Sequence, residues 1–169
     1  MTTRTLLSFP NPVNEKAARS VAGGVALLAV LTLALSVTLG HGWLWLSVVL
    51  AYGFLARVLT GPTLSPLGQF ATRVLAPHLG PAKLVAGPPK RFAQAIGAVV
   101  TVSAVTSLAL GHATVTQALL GLLIVAAVLE SVFAFCIGCK IFAVLMRAGL
   151  VPAETCEACA NITVRTRQA

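Results

Sequence analysis

The sequence predicts an all-α integral membrane protein whose four transmembrane helices form two hairpins. Hydrophobic residues make up 57% of the chain and charged residues only 9%, whereas soluble domains carry about 25% charged residues. Four apolar runs are each long enough, as helices, to cross a hydrocarbon core of about 30 Å. The short turns between paired runs contain no lysine or arginine. This combination is typical of a membrane-embedded helical bundle.

The apolar runs divide the chain into a transmembrane domain and a tail. We expect a four-helix domain over residues 1–148 and a polar tail over residues 149–169. Two tight turns, centred on His41 and on His112, join the spans into hairpins. The predicted spans cover about residues 20–39, 43–59, 92–110 and 114–136.

Two shorter helical signals lie outside the spans. Asn11-Pro12 predicts a helix start, with asparagine as N-cap and proline at the first helical position. In the long loop 60–91, apolar residues after Ser65-Pro66 recur at helical spacing. We expect a short helix over about residues 66–76, lying in the membrane interface.

The distribution of basic residues predicts the orientation. All twelve lysines and arginines lie in residues 4–19, 57–91 or 140–167. The positive-inside rule then places both termini and the long loop in the cytoplasm, with only the two turns outside. The net charge of +8 is explained by these flanks. The lipid bilayer is therefore the expected partner, and nucleic acid is not.

The four cysteines form two C-x-x-C pairs, Cys136 with Cys139 and Cys156 with Cys159, and sixteen residues separate the pairs. On the predicted cytoplasmic side thiols are kept reduced, which disfavours a permanent disulfide. One interpretation is a metal site in which all four cysteines hold zinc or an iron–sulfur cluster. The protein would then be a non-enzymatic membrane scaffold or a small transporter. The other interpretation is that all four are redox thiols, with dithiol exchange or sulfur transfer between the pairs.

Both interpretations require the two cysteine pairs to converge. The segment after Cys139 predicts a helix over 141–148, and the remaining residues are long enough to fold back along it. A helix break at Gly138 would put Cys139 at a helix start beside Lys140, which favours its thiolate. We therefore expect Cys139 to be the most nucleophilic of the four thiols.

Glu130 is the only carboxylate inside a predicted span. A charge in lipid is costly and is usually paired or functional. Arg57 lies at a similar predicted depth, so we expect an intramembrane Glu130–Arg57 ion pair. The alternative is a proton-donating role for Glu130 near Cys136. His41 and His112 are expected to be ordinary loop histidines.

Three motifs carry a resemblance to a known family: N-P-V-N-E-K-A-A-R at 11–19, G-P-P-K-R-F-A-Q at 87–94, and E-S-V-F-A-F-C-I-G-C-K-I-F at 130–142. The chain resembles the bacterial membrane proteins catalogued as domain of unknown function 4395. The resemblance implies a small multi-span protein of the bacterial cytoplasmic (inner) membrane, with unassigned activity. Its pattern includes Glu130, Cys136 and Cys139. A cytosolic thioredoxin-like or sulfurtransferase partner is also implied, because genes of these classes occur near those of family members.

Overall fold

Four long helical segments form the body of the computed structural model, which describes residues 9–151. A 3-10 helix at His41–Leu46 runs directly into the second of them. All four segments are long and apolar enough to span a membrane, which confirms the predicted class of helical membrane protein. The α-helices are α1 (Glu15–Thr38), α2 (Ser47–Thr60), α3 (Pro66–Phe70), α4 (Ala76–His78), α5 (Gly87–Ala109), α6 (Ala113–Phe133) and α7 (Ile137–Arg147).

The two hairpins pack against each other more than each packs on itself. The main contacts of α1 are with α6 and those of α2 are with α5, while α1 and α2 touch only lightly. Helix α5 also packs on α6, so it lies between α2 and α6. The core contains Leu44, Leu50 and Leu120, all buried. Outward-facing Leu27 and Val37 are 72% and 73% exposed, as lipid-facing side chains are.

The start of α1 differs from the prediction. Its N-cap is Asn14, whose Oδ1 accepts a hydrogen bond from the Lys16 N–H at 3.0 Å. Glu15 lies in the first turn, where the helix dipole favours a carboxylate. The predicted cap, Asn11, has another partner: its Oδ1 accepts from the Gly87 N–H at 3.0 Å, at the start of α5. The segment before α1 therefore satisfies a free N–H group of a different helix.

The connection between α2 and α5 contains the helical run predicted at 66–76. It consists of α3, a π-helix at Ala71–Leu75, and α4. Ser65 caps α3 by accepting from the Gly68 N–H at 3.2 Å. Its position at the membrane interface stays a prediction. A two-residue antiparallel ladder, β1 (Val13–Asn14) with β2 (Leu84–Val85), then joins the end of this connection to the segment before α1.

Helix α6 ends earlier than predicted. The predicted span reached residue 136, but α6 stops at Phe133 because Ala134 adopts the left-handed conformation, with φ at 55°. The Phe135 N–H bonds back to the Leu129 carbonyl at 3.0 Å, which closes the helix end. Cys136 is then the N-cap of α7. The bend therefore lies at Ala134 and not at Gly138.

Basic side chains cap helix ends at one end of the bundle. Arg19 donates from Nε and Nη2 to the Ser131 carbonyl, at 3.1 and 2.9 Å, where α6 ends. Arg91 donates from Nε to the Val58 carbonyl at 3.0 Å, in the last turn of α2. Cations are stabilising at the negative end of a helix dipole. The starts of α1 and α5 and the ends of α2 and α6 thus meet at this one basic end.

Candidate functional site

The first C-x-x-C pair lies at the start of α7. Cys136 is the N-cap and Cys139 completes the first turn; both are free thiols. Cys136 is 8% exposed and Cys139 is partly buried. A Cβ at Gly138 would lie 2.6 Å from the Cα of Ala93 on α5. Only glycine allows this approach, which holds the two thiols against α5.

Glu130 forms its ion pair with Lys90, and the predicted Glu130–Arg57 pair is wrong. Lys90 Nζ donates to Glu130 Oε1 at 2.6 Å, and the two side chains are 11% and 13% exposed. Arg57 and Glu130 do lie at similar depth, as expected, since each is three residues before the end of its helix. Glu130 on α6 nevertheless faces α5 and not α2, because α5 lies between α2 and α6. Lys90, three residues into α5, therefore reaches Glu130 first.

Arg57 is buried without a carboxylate partner among residues 9–151. It is 5% exposed. Its Nε donates to Gln94 Oε1 at 2.8 Å, its Nη1 donates to Ser65 Oγ at 3.1 Å, and its guanidinium carbon lies 4.5 Å from the centroid of the Phe54 ring. Nη2 is buried and has no hydrogen-bond partner in the described chain. A buried guanidinium with an unsatisfied donor is costly unless a ligand completes its hydrogen bonds.

A cavity of about 250 Å³ brings Arg57, Gln94, Glu130 and Cys136 to one space between the helices. These polar residues lie near the basic end of the bundle. The remaining wall is largely apolar and comes from α1, α2, α5, α6 and α7. A second cavity of about 180 Å³ lies beyond Arg57 and Gln94, toward the segment before α1. Arg57 and Gln94 therefore line both cavities.

The first cavity opens toward the lipid-facing surface. Three of its lining residues are exposed: Leu122 at 57%, Ile141 at 42% and Ile137 at 37%. Helix α7 packs on α5 and hardly touches α6. The opening therefore lies between α6 and α7.

The two thiols differ in acidity. Hydrogen bonding from the Cys139 thiol lowers the pKa of Cys136 below its ordinary value, and the charge of Lys90 acts in the same direction. Burial and the charge of Glu130 oppose the shift. The same hydrogen bonding raises the pKa of Cys139. The structure thus favours the thiolate at Cys136, the reverse of the assignment expected from the sequence.

The second C-x-x-C pair is not part of the site that the structure describes. Cys156 and Cys159 both lie outside residues 9–151, and so does their predicted convergence with the first pair. The free thiols of the described range are Cys136 and Cys139. The expected role of Cys159 as a redox thiol, like that of Cys156, therefore stays a prediction. Of the expected pair of pairs, the described residues contain only Cys136 and Cys139.

The predicted four-cysteine metal site extends beyond the described part of the chain, because two of its four ligands lie outside residues 9–151. Within residues 9–151, no group of three or more His, Cys, Asp or Glu side chains has a geometry that holds a metal ion. Cys136 and Cys139 supply only two sulfurs, and a zinc or iron–sulfur site of the expected kind needs four ligands. Metal ligation by Cys156 and by Cys159 stays a prediction, because both lie outside the described residues.

The two histidines of the turns are far from the thiols along the bundle. His41 and His112 are both exposed, and they lie at the end of the bundle opposite to the basic end. His41 begins the 3-10 helix that leads into α2, and His112 is the N-cap position of α6.

A sequence model of the family described as "Domain of unknown function (DUF4395)" matches residues 13–147. The chain belongs to this family. The matched range contains all the helices of the bundle, together with Glu130, Cys136 and Cys139, and ends before Cys156. The resemblance based on the three motifs is therefore confirmed. No curated protein and no solved structure matches the chain.

Proposed function

We propose that this protein is a membrane-anchored dithiol module of the bacterial inner membrane. Cys136 and Cys139 exchange electrons with a cytosolic thioredoxin-like partner, or sulfane sulfur with a sulfurtransferase. The observation that carries the proposal is the pair itself: two free thiols within the first turn of α7, with the thiolate favoured at Cys136. An N-in/C-in orientation, inferred from the basic residues, places the pair on the cytoplasmic side.

The two cysteines have different roles in this exchange. Cys139 is the more accessible of the two residues, and Cys136 lines the internal cavity. In the oxidised protein, a partner thiolate attacks Cys139, the Cys136–Cys139 bond breaks, and Cys136 leaves as a thiolate. A thiol of lower pKa is the faster leaving group. The partner's second thiolate then attacks the mixed disulfide, which releases Cys139 and leaves the disulfide on the partner.

Lys90 and Glu130 act as positioning residues in the proposed exchange. The ammonium charge of Lys90 favours the Cys136 thiolate, and the 2.6 Å contact with Glu130 fixes that ammonium group. Lys90 and Arg57 together carry one more charge than Glu130 neutralises. A thiolate at Cys136 offsets this surplus in a low-dielectric site, where an uncompensated charge is costly.

The proposal is tested in lipid nanodiscs with protein that carries Cys156→Ser and Cys159→Ser, so that only the first pair can react. The protein is oxidised and then exposed to thioredoxin whose resolving cysteine is replaced by serine, followed by acid quench and peptide mass mapping. The expected result is a reversible Cys136–Cys139 disulfide and a mixed disulfide at Cys139. If the reduced protein instead gains a persulfide from a sulfane-sulfur donor, the exchange is sulfur transfer.

Two results would overturn the proposal. One is the absence of both disulfide and persulfide, while the thiols remain reactive toward an alkylating reagent. The other is one zinc ion per chain in untreated full-length protein, lost together with its fold when any of the four cysteines is replaced. That second result would establish the metal-holding alternative.

A further inference from the structure

We infer that the cavity lined by Cys136 binds the ring of a lipid-soluble quinone, which accepts the electrons of the Cys136/Cys139 dithiol. The inference rests on the proposed dithiol function and adds the second substrate of the same site. It follows from three features of the cavity: its opening, its polar end and its thiol.

The apolar opening of the cavity favours a ligand that enters from the membrane. Leu122, Ile137 and Ile141 form an apolar, exposed rim between α6 and α7. A volume of about 250 Å³ is slightly below the usual range of small-molecule pockets, roughly 300–1,000 Å³. It suits a single ring held inside, with an apolar tail that leaves through the rim into the hydrocarbon.

The polar end selects a ligand with an acceptor oxygen. Arg57 lines the cavity, is 5% exposed and keeps Nη2 without a partner in the described chain. Nη2 is itself buried, so it donates to a quinone carbonyl oxygen at this end of the cavity after a rotation of the guanidinium group. The surplus positive charge of Arg57 and Lys90 over Glu130 also stabilises the oxygen as it becomes electron-rich, which is the usual electrostatic contribution of such donors.

The thiol distinguishes a quinone from other amphipathic lipids. A fatty-acid carboxylate would satisfy Arg57 equally well, but it accepts no electrons. Cys136 lines the cavity whereas Cys139 does not, so one sulfur is on the quinone side and the other is the more accessible to a protein partner. This arrangement lets electrons enter at Cys139 and leave at Cys136.

The reaction balances as one dithiol plus one quinone giving one disulfide plus one quinol. The bond formed is Cys136 Sγ–Cys139 Sγ. The two sulfurs lose two electrons and the quinone gains them. The two protons released by the thiols balance the two taken up by the quinone oxygens. A reduced thioredoxin-like partner then restores the dithiol.

The test uses the full chain with Cys156→Ser and Cys159→Ser, reduced in nanodiscs and mixed with a decyl-tailed benzoquinone. A fully substituted ring is chosen because it cannot form a thioether with a cysteine. Quinone loss is followed by absorbance, and the disulfide is measured by mass mapping. We expect one quinol for each Cys136–Cys139 disulfide, and none with Cys136→Ser.

Matched variants locate the reaction. Val100 lines the cavity, whereas its neighbour Val99 is 66% exposed on the same helix. Val100→Phe fills the cavity and should slow quinone reduction at least about tenfold, while Val99→Phe should not change it. Arg57→Gln should raise the half-saturating quinone concentration about tenfold or more, because a charge-assisted hydrogen bond is lost. Thermal unfolding in the same nanodiscs checks that each variant is folded, and disulfide formation with glutathione disulfide checks that its dithiol is reactive.

Four other results would contradict the inference. Equal rates in Val100→Phe and Val99→Phe, with both variants folded, overturn the assignment of the cavity. A dithiol that glutathione disulfide oxidises but the quinone does not overturns the quinone inference and leaves the proposed dithiol function standing. A fatty acid that binds in the cavity while the quinone neither binds nor reacts overturns the quinone inference and identifies the cavity as a lipid site. Failure with both oxidants overturns both proposals.

Discussion

At the scale of single residues, the acidity of Cys136 depends on Cys139 more than on any other group. Hydrogen bonding from Cys139 is the largest cause that lowers the pKa of Cys136, and Lys90 adds to it. Burial and Glu130 act in the opposite direction. The thiolate is therefore present above a lowered pKa and is lost as the pH falls through that value.

Replacing Cys139 by alanine should raise the pKa of Cys136 above its ordinary value of 9.0, because burial and the Glu130 charge remain while the hydrogen bond is lost. The measurement is ultraviolet thiolate absorbance against pH in protein that carries Cys156→Ser and Cys159→Ser, corrected with the Cys136→Ser variant. Cys139→Ser, which keeps a hydroxyl donor, should shift the midpoint less. A midpoint that is unchanged or lower in Cys139→Ala contradicts the assignment.

Removing one partner of the Lys90–Glu130 pair should strand the other charge in a largely desolvated site. We expect Lys90→Met or Glu130→Gln to cost about 3–5 kcal/mol of the free energy of unfolding, and the double variant to recover much of that loss. Thermal or denaturant unfolding in a fixed detergent measures both.

The second ion pair of the described chain is the control. Lys83 lies 2.8 Å from Glu15, but its side chain is 69% exposed. Lys83→Met should therefore cost no more than about 1 kcal/mol. If the Lys90 and Lys83 variants lose equal stability, or if the double variant is no better than the single ones, Lys90 and Glu130 are not a buried pair.

At the scale of elements, the sequence predicts the four spans because their length and apolar character are imposed by the hydrocarbon. It does not predict the end of α6, because a left-handed alanine at Ala134 has none of the glycine or asparagine signal of such a cap. The sequence does not predict Lys90 as the partner of Glu130. Counting residues along a span gives the depth of a side chain in the membrane, but it does not tell which helices are neighbours. Lys90, close to the start of its helix, fulfils the same depth criterion as Arg57.

The close approach of α7 to α5 sets the position of both thiols. Gly138→Ala would place a Cβ 2.6 Å from Ala93, so α7 must move away. We expect a loss of about 1–3 kcal/mol and slower formation of the Cys136–Cys139 disulfide. Measurements are unfolding in detergent and the rate of oxidation by glutathione disulfide.

The matched control is Gly121→Ala in α6, where a Cβ meets no atom within 4 Å. That variant should be neutral or stabilised by up to about 1 kcal/mol, because alanine favours helix. If Gly138→Ala behaves like Gly121→Ala in both measurements, close packing of α7 on α5 does not position the site.

At the scale of the whole molecule, the basic residues have two roles at one end of the bundle. Arg19 and Arg91 neutralise the carbonyl ends of α6 and α2, and Lys16 donates to the Leu79 carbonyl at 2.6 Å, just after α4. In the proposed N-in/C-in orientation, the same residues supply the positive charge that retains this end in the cytoplasm. The stability of the fold and the proposed orientation would then depend on one set of side chains, and the first cysteine pair lies at that end.

This arrangement predicts which loops face the cytoplasm. In protein with all four cysteines replaced by serine, Ala82→Cys reports the long loop and His112→Cys reports the turn before α6; both positions are exposed. With a membrane-impermeant maleimide on intact cells, His112→Cys should be labelled, and Ala82→Cys only after the membrane is permeabilised. Labelling of both single-cysteine variants in permeabilised cells checks that each is expressed and that its cysteine is reactive. Labelling of Ala82→Cys in intact cells would put the basic end, and with it Cys136 and Cys139, outside the cytoplasm, where a cytosolic thiol partner cannot reach them.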